Sequence, residues 1–380
     1  MDFSSKRQKL AYNVIANRSL KFVDYPLFFT VVFLLMIGLV SMFSASALYA
    51  VNKGLASSFY AKKQALYIIT GFGLMALAAR LDLEKLRPYI KPLFLGTLVL
   101  LGVTLLMPPV AHVRRWIPLG FMKLQMSEFA KPVLILYLAD FFDRNASVIH
   151  TDWRQLLKPF VAALFMFALI GVEPDLGTPA LLFGVLIMMF FAAGVKLRYI
   201  LAPLVLGILT VFMLIVTSSY RLARLKTFLE PQANSAGTGF QLWQSLLAVG
   251  SGGWLGKGPG ASKLKLYIPE PHTDFIFPVV AEELGLIGGL IVLGLFTALL
   301  VKGARIARNA PSMYTALAAL GLTLAIALQA FFNMAMSTGL IPTKGIPLPF
   351  FSYGGSSIWA SMIMVGLILN ISAHRSTQKW

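Results

Sequence analysis

The sequence contains no cysteine, and its four histidines lie far apart. The absence of cysteine excludes disulfides, thiol catalysis and thiolate metal sites. His112, His150, His272 and His374 form no His-x-His or His-x-x-x-His pair, the spacings that place two ligands on one strand or helix face. A dedicated histidine metal site is therefore not expected.

Charged residues are also scarce, at 13% of the chain, whereas 58% of the residues are hydrophobic. Soluble domains have roughly 45–50% apolar and about 25% charged residues. The mean hydropathy is +0.77. The net charge of +18 is spread in short basic clusters at the ends of apolar runs, which is typical of charges that orient membrane spans. We therefore expect an integral membrane protein and no nucleic-acid partner.

The apolar residues form ten runs, and each is predicted to be a helix that crosses roughly 30 Å of hydrocarbon. The predicted fold is all-α and polytopic. Residues 1–24 form an N-terminal segment, 25–373 the ten-helix membrane domain, and 374–380 a C-terminal tail. The runs cover residues 25–48, 65–79, 89–107, 127–142, 156–172, 178–193, 199–217, 275–301, 314–340 and 353–373.

The distribution of lysine and arginine predicts the orientation of these spans. With the N-terminus inside, the cytoplasmic segments hold far more basic residues than the short outside loops. Both termini are then cytoplasmic, and the protein lies in the cytoplasmic (inner) membrane. One long loop, 218–274, connects the seventh and eighth spans on the outside. A site on that side has no access to cytoplasmic ATP.

The first polar cluster precedes and enters the fourth run. Arg115, Trp116 and Lys123 fall in an outside loop, where cations beside lipid headgroups indicate phosphate contacts. Glu128 and Lys131 are three residues apart and therefore share a helix face. An internal structural ion pair and a functional role fit these two residues equally well.

The second cluster surrounds Asp175, in a tight outside connection. Thr178 followed by Pro179 is typical of an N-cap with proline at the first helical position. Asp175 itself fits either a helix cap or a carboxylate that faces the site cavity.

The third cluster contains His272 and Asp274, two residues apart, so that both side chains could face one cavity. From these residues alone, a helix cap is the default interpretation of Asp274. Glu282 and Glu283 follow within the next span and need a partner.

A fourth polar feature, residues 344–357, combines Lys344 with two prolines and a Gly-Gly pair at the outer end of a span. Such backbone is tolerated at membrane depth only where it is buried in protein or lines a polar cavity. The alternative is an ordinary loop in which Ser352 caps the last helix.

Together these motifs resemble the SEDS family (shape, elongation, division and sporulation proteins). The resemblance rests on Arg-Trp-Ile at 115–117, Ser-Glu-x-x-Lys at 127–131, Pro-Asp-Leu-Gly-Thr at 174–178, Tyr-Arg-x-x-Arg at 220–224, His-Thr-Asp-Phe-Ile-Phe at 272–277 and Gly-Ile-Pro-Leu-Pro-Phe at 345–350. It covers nearly the whole chain, and Lys344 with its motif is more similar to the cell-division branch than to the elongation branch. Glu173 departs from the glutamine that often precedes Pro-Asp.

This resemblance implies a ten-span glycosyltransferase that polymerises lipid II into β-1,4 glycan strands at the division septum and releases undecaprenyl pyrophosphate. A class B penicillin-binding protein and other division proteins are the implied partners. The catalytic aspartate of the family corresponds to Asp274. Mg²⁺ or Mn²⁺ as a cofactor stays open, as do a lipid II flippase, an elongation-type polymerase and a non-catalytic scaffold. The expected substrate contacts are Arg115, Trp116, Lys123, Lys131, Asp175, Arg224, His272 and Lys344.

Overall fold

The computed structural model describes residues 24–109, 113–118, 120, 123–149, 152–173, 175–233, 235, 237 and 239–374. The predicted N-terminal segment, apart from Asp24, and most of the C-terminal tail lie outside these residues. Within the described ranges the chain forms thirteen helices and one hairpin of two short antiparallel strands. The all-α prediction is confirmed for this part of the chain.

The helices follow the apolar runs closely. Their bounds, with the hairpin strands β1 (Ile117–Pro118) and β2 (Lys123–Leu124), are α1 Tyr25–Asn52, α2 Phe59–Arg80, α3 Leu83–Leu106, α4 Met126–Arg144, α5 Arg154–Val172, α6 Gly177–Ala192, α7 Leu197–Val216, α8 Ser219–Leu229, α9 Phe240–Ser251, α10 Leu264–Tyr267, α11 Ile276–Arg308, α12 Met313–Ser337 and α13 Gly355–Ala373.

Each of the ten predicted runs coincides with one helix. Among the described residues, six helices are long and apolar enough to cross a membrane: α1, α3, α5, α11, α12 and α13. The chain is therefore a multi-pass membrane protein. Shorter apolar stretches occupy α6 and most of α7. The last two helices that match predicted runs, α2 and α4, carry more polar residues. The first turns of α2 lie near the surface, and α4 contains buried charged residues.

The centre of the bundle consists of α4, α12 and α13, which are buried on nearly all sides. Polar side chains of α13 connect it to α2. Trp359 donates its indole N–H to Thr70 Oγ1 (2.9 Å), and Asn370 Nδ2 donates to the carbonyl oxygens of Ala79 and Leu81 (2.7 Å each). Such interhelical hydrogen bonds stabilise apolar bundles, because an unpaired polar group in hydrocarbon is costly.

The predicted long loop is in fact partly helical, since 218–274 contains α8, α9 and α10. Its glycine-rich part, 252–258, fills a break in α11 at Gly285, whose φ of 68° is not helical. Leu286 donates its N–H into this segment (2.9 Å), and Lys257 donates its N–H to the carbonyl of Glu282 (3.0 Å). Backbone groups freed by the break are thereby paired, as an apolar environment requires.

Glu282 and Glu283 fasten the same segment. Glu282 accepts from Lys257 Nζ (2.7 Å) and Ser262 Oγ (2.7 Å). Glu283 accepts from Ser44 Oγ of α1 (2.5 Å). These two buried acids therefore have structural partners: Glu282 holds the segment against α11, and Glu283 links α11 to α1.

We expect Gly256→Ala to destabilise the protein by about 2–3 kcal/mol. Gly256 has φ of 80°, and a Cβ there would lie 2.1 Å from the carbonyl oxygen of Glu283. The left-handed conformation costs about 1–2 kcal/mol, and relieving the clash breaks at least one backbone hydrogen bond. The measurement is SDS-titration unfolding of the purified protein. Gly250→Ala is the matched control: its Cβ would meet nothing within 4 Å, and alanine is favoured over glycine inside a helix, so stability should not fall.

Candidate active site

Asp274 lies at the rim of a cavity of about 430 Å³, just before α11 begins. The side chain is half-buried. It does not cap α11, and no described residue donates a hydrogen bond to its carboxylate. Its carboxylate is therefore available to a ligand. The cavity is lined by Tyr49, Lys53, Gln241, Pro269, Glu270, Thr273, Asp274 and Phe275.

The backbone around Asp274 is held by polar side chains from other parts of the chain. Asn333 of α12 donates from Nδ2 to the carbonyls of Asp274 (2.8 Å) and Ile346 (2.7 Å). Ser352 Oγ donates to the carbonyl of Thr273 (2.7 Å). The segment that carries Asp274 is thus fixed to residues 346–352. Ser352 serves this contact and does not cap α13.

The charges around Asp274 change its proton affinity. Burial raises the pKa of Asp274 to about 6, and the negative charges of Asp175 and Glu270 act in the same direction. Arg115 and Arg224 act in the opposite direction. A carboxyl group that titrates near neutrality is suited to accepting a proton during a reaction.

Asp175 caps α6. Its Oδ1 accepts from the N–H groups of Gly177 (3.0 Å) and Thr178 (3.1 Å), and its Oδ2 accepts from Thr178 Oγ1 (2.8 Å). Thr178 is therefore not the N-cap that the sequence predicted; it lies inside the first turn, and Asp175 supplies the capping oxygen. The charge of Asp175 still acts on Asp274 across the site.

Three cations predicted from the sequence lie near the carboxylates of Asp274 and Asp175, and each comes from a different segment of the chain. Arg224 of α8 donates from Nη1 to the carbonyl of Thr343 (3.2 Å). Lys344 follows directly, and burial together with the charge of Arg224 lowers its pKa. Arg115 contributes a buried Nε with no hydrogen-bond partner among the described residues. The concentration of positive charge from three segments favours binding of an anion at this place.

Lys131 lies away from the cavity, in the core of the bundle. It is 1% exposed, and its Nζ binds Glu128 Oε2 (2.8 Å) and Gln329 Oε1 (2.5 Å). Gln329 in turn donates from Nε2 to the carbonyl of Pro347 (2.9 Å). Lys131 thus contacts the site only indirectly, through Gln329 and the 344–353 segment. Lys123 is exposed on β2, and Trp116 is half-buried just before β1.

His272 does not line the cavity with Asp274; it lies behind the cavity in an aromatic cluster. Its ring is 5.1 Å from Tyr49, 5.0 Å from Tyr60 and 5.6 Å from Tyr353, centroid to centroid. Burial lowers the pKa of His272 to about 4, with Glu270 opposing the shift. The ring is therefore neutral near pH 7 and supports the cavity wall.

Glu270 is a site residue that the sequence analysis missed. It lines the cavity, accepts from the hydroxyl of Tyr49 (2.8 Å), and has a φ of 55°. A positive φ is uncommon for a residue other than glycine and is concentrated at functional sites. The flanking prolines Pro269 and Pro271 were the only signal in the sequence.

Glu173 lies close before the Asp175 cap and is fully buried. Thr104 Oγ1 donates to its Oε1 (2.5 Å), and Oε2 has no partner among the described residues. Burial raises the pKa of Glu173 to about 7. A carboxyl group in its protonated form has nearly the size and shape of an amide, so the raised pKa makes glutamate compatible with the position where the family often has glutamine.

Residues 25–377 match the family of cell cycle proteins that includes FtsW, RodA and SpoVE. The chain belongs to this family. The SEDS resemblance is thereby confirmed. A probable peptidoglycan glycosyltransferase FtsW from Trichlorobacter lovleyi is 39% identical over 92% of this chain and 93% of its own length. The stage V sporulation protein E of Bacillus subtilis is 40% identical over 92% and 97%.

Solved structures of the family share the fold. One, described as "Structural coordination of polymerization and crosslinking by a peptidoglycan synthase complex", superposes with a TM-score of 0.79 at 27% identity, over 94% of this chain and 99% of that chain. The rod shape determining protein RodA from Thermus thermophilus gives a TM-score of 0.70 at 25% identity, over 94% of this chain and 98% of that chain.

Proposed function

We propose that this FtsW/RodA/SpoVE family member is a peptidoglycan glycosyltransferase that polymerises lipid II. The observation that carries the proposal is Asp274, a half-buried carboxyl group with a raised pKa, no hydrogen-bond donor among the described residues and the positive charges of Arg115 and Arg224 acting on it. Relatives named peptidoglycan glycosyltransferase FtsW, more than 35% identical over about nine-tenths of the chain, support the same activity.

The proposed topology has all ten apolar helices crossing the inner membrane, with both termini cytoplasmic. The basic residues at the predicted cytoplasmic ends support it. Asp274, Arg224 and Lys344 then face the outside, where the sugar-pyrophosphate end of lipid II is presented. The donor is already activated by its lipid pyrophosphate, so no nucleotide is required.

The proposed reaction is a direct displacement. The 4-hydroxyl of the acceptor GlcNAc attacks the anomeric carbon of the donor MurNAc, while the bond from that carbon to the pyrophosphate oxygen breaks. Asp274 accepts the hydroxyl proton, a contribution usually of about 10²–10⁴ in rate. Inversion at the α-linked donor gives a β-1,4 glycan, and undecaprenyl pyrophosphate leaves.

Cationic side chains stabilise the charge that develops on the leaving pyrophosphate. Arg115 and Arg224 act on Asp274, Lys344 acts on Asp175, and charge-assisted hydrogen bonds from such cations to phosphate are strong. In this proposal Asp175, Lys131 and His272 position the site. Lys123 and Trp116 contact lipid headgroups.

A divalent cation is a further part of the proposal. The described residues contain no cluster of three or more His, Asp or Glu side chains that could hold a metal. Mg²⁺ at phosphate sites needs only one or two carboxylates, because phosphates and waters supply the other ligands. Glu270, which lines the cavity, provides such a carboxylate. A bound cation would neutralise pyrophosphate charge.

The buried polar groups of the spans count against a lipid II flippase. Polar groups within the spans are expected along a transport path. Here Glu128, Lys131, Gln329 and Asn333 have partners that hold residues 346–347 and the Asp274 backbone. The polymerase is therefore favoured.

The FtsW relatives favour a role in division over elongation, with enrichment at the septum and contacts with other division proteins as part of the proposal.

The proposed partner is a class B penicillin-binding protein that cross-links the glycan. The structural neighbour whose description names polymerization and crosslinking by a synthase complex supports this.

The test uses purified lipid II in detergent, with and without the partner and with and without EDTA. Polymer in detergent is expected, with more product in the presence of the partner. A protein that only transports lipid II would form no polymer, because transport makes no glycosidic bond. A rate that EDTA leaves unchanged would reject the cation.

A further inference from the structure

A second cavity, of about 220 Å³, lies at the opposite end of the bundle from Asp274. It is enclosed by α3, α4 and α5. α4 begins beside the Glu128–Lys131 pair that supports the site and ends at Arg144, which lines the second cavity. In the proposed topology this end is cytoplasmic. The polar side chains that matter here are Lys91, Tyr137, Asp140, Arg144 and Lys158.

The charge in this cavity is unbalanced in favour of cations. Asp140 is already engaged by Arg87 Nε (2.9 Å) and Arg144 Nε (2.8 Å). Neither Lys91 nor Lys158 has an ion-pair partner in the described part of the chain; Lys158 donates only to the amide oxygen of Gln155 (3.0 Å). Lys91 and Lys158 therefore face the cavity with no carboxylate to neutralise them, while Arg144 shares the single carboxylate of Asp140 with Arg87.

Exposed aromatic residues place the cavity at the boundary between membrane and water. Tyr89 of α3 is 66% exposed, and Trp153, directly before α5, is 50% exposed. Tyrosine and tryptophan are enriched at the headgroup level of membrane proteins. Leu93 and Leu157 are exposed on the same two helices, α3 and α5, that carry the lysines, and they give these helices apolar surface.

We propose that this cavity binds the phosphate of an anionic phospholipid from the cytoplasmic leaflet. Basic pockets between spans on the cytoplasmic side bind such headgroups, and lysine and arginine form strong charge-assisted hydrogen bonds with phosphate. Lys91 and Lys158 bind the phosphate oxygens, Arg144 contributes its terminal N–H groups, and the acyl chains lie against the leucines. This inference is independent of the chemistry proposed at Asp274.

The test measures lipid binding to the purified full chain in neutral detergent by native mass spectrometry. Phosphatidylglycerol, zwitterionic phosphatidylcholine and inorganic phosphate are titrated separately. We expect phosphatidylglycerol to bind at least tenfold more tightly than phosphatidylcholine, and millimolar inorganic phosphate not to displace it. The double variant Lys91→Gln/Lys158→Gln should weaken this binding roughly 30-fold, since each basic side chain contributes about fivefold at an anionic lipid surface.

The control is Lys196→Gln/Lys302→Gln, which removes the same charge on the predicted cytoplasmic side but outside the cavity. It should leave the affinity unchanged. All four lysines lie at least partly at the surface, so both double variants should elute as folded protein on size exclusion. Equal affinity for the two lipids, displacement of phosphatidylglycerol by millimolar inorganic phosphate, or a cavity variant that matches the control would each overturn the proposal.

Discussion

Asp274→Asn should lower the rate of glycan polymerisation from lipid II by about 10²–10⁴, with the fold intact. Asparagine has the shape of aspartate but cannot accept the hydroxyl proton, so the loss is that of a general base. The backbone carbonyl of residue 274 still accepts from Asn333, and no described donor depends on the carboxylate, so the local structure should persist. The measurement is the initial rate of polymer formation by the purified chain with its penicillin-binding protein partner.

Glu84→Gln is the matched control for this prediction. Glu84 is an exposed acid that pairs with Arg87 at the far end of the bundle, so its neutralisation should leave the rate unchanged. Unfolding temperature and partner binding should be the same for all three proteins. If the Asp274 variant polymerised at the wild-type rate, a catalytic base would have to be sought elsewhere.

Lys131→Met should destabilise the protein by about 3–5 kcal/mol. The change leaves the carboxylate of Glu128, which is 2% exposed, without its cation in the bundle core, and an uncompensated buried charge is expensive. Gln329 also loses its donor, which loosens its contact with Pro347 and the segment beside Asp274. The measurement is the free energy of unfolding in an SDS titration.

The double variant Glu128→Gln/Lys131→Met distinguishes a structural pair from a substrate contact. Replacing both members of a buried pair with neutral groups is often nearly neutral for stability. We therefore expect the double variant to regain most of the stability and part of the activity. A double variant that is stable yet as inactive as the single one would show that activity needs Lys131 itself and not only a neutral, stable pair.

The helices could be predicted from sequence because hydrocarbon imposes a length and an apolar composition on each of them. The same rule could not find α8, α9 and α10, which are short and packed by specific contacts. Gly256 and Gly285 approach each other's backbone so closely that only the three-dimensional arrangement explains them. No periodicity in the sequence encodes that contact.

The site was predictable where a residue carries its own chemical signal. An acid or a base next to an apolar run is costly, and Asp274, Arg115 and Lys344 were found on that ground, whereas Arg224 was found only through the family resemblance. The sequence could not distinguish a residue that contacts the substrate from one that holds the site in position. Lysine and histidine are residue types that often bind substrates. Only the burial and the partners of Lys131 and His272 show that these two residues support the site without lining the cavity.

The most direct test of Asp274 as the base is the pH dependence of kcat/KM for lipid II, which reports the proton affinity of the free enzyme. A base must be deprotonated, and the pKa of Asp274 is raised to about 6. We predict a plateau above pH 7 and a fall below about pH 6, with a tenfold loss per pH unit, for the wild type. A kcat/KM that stays level from about pH 5 to pH 8, while the protein remains folded, would contradict the assignment.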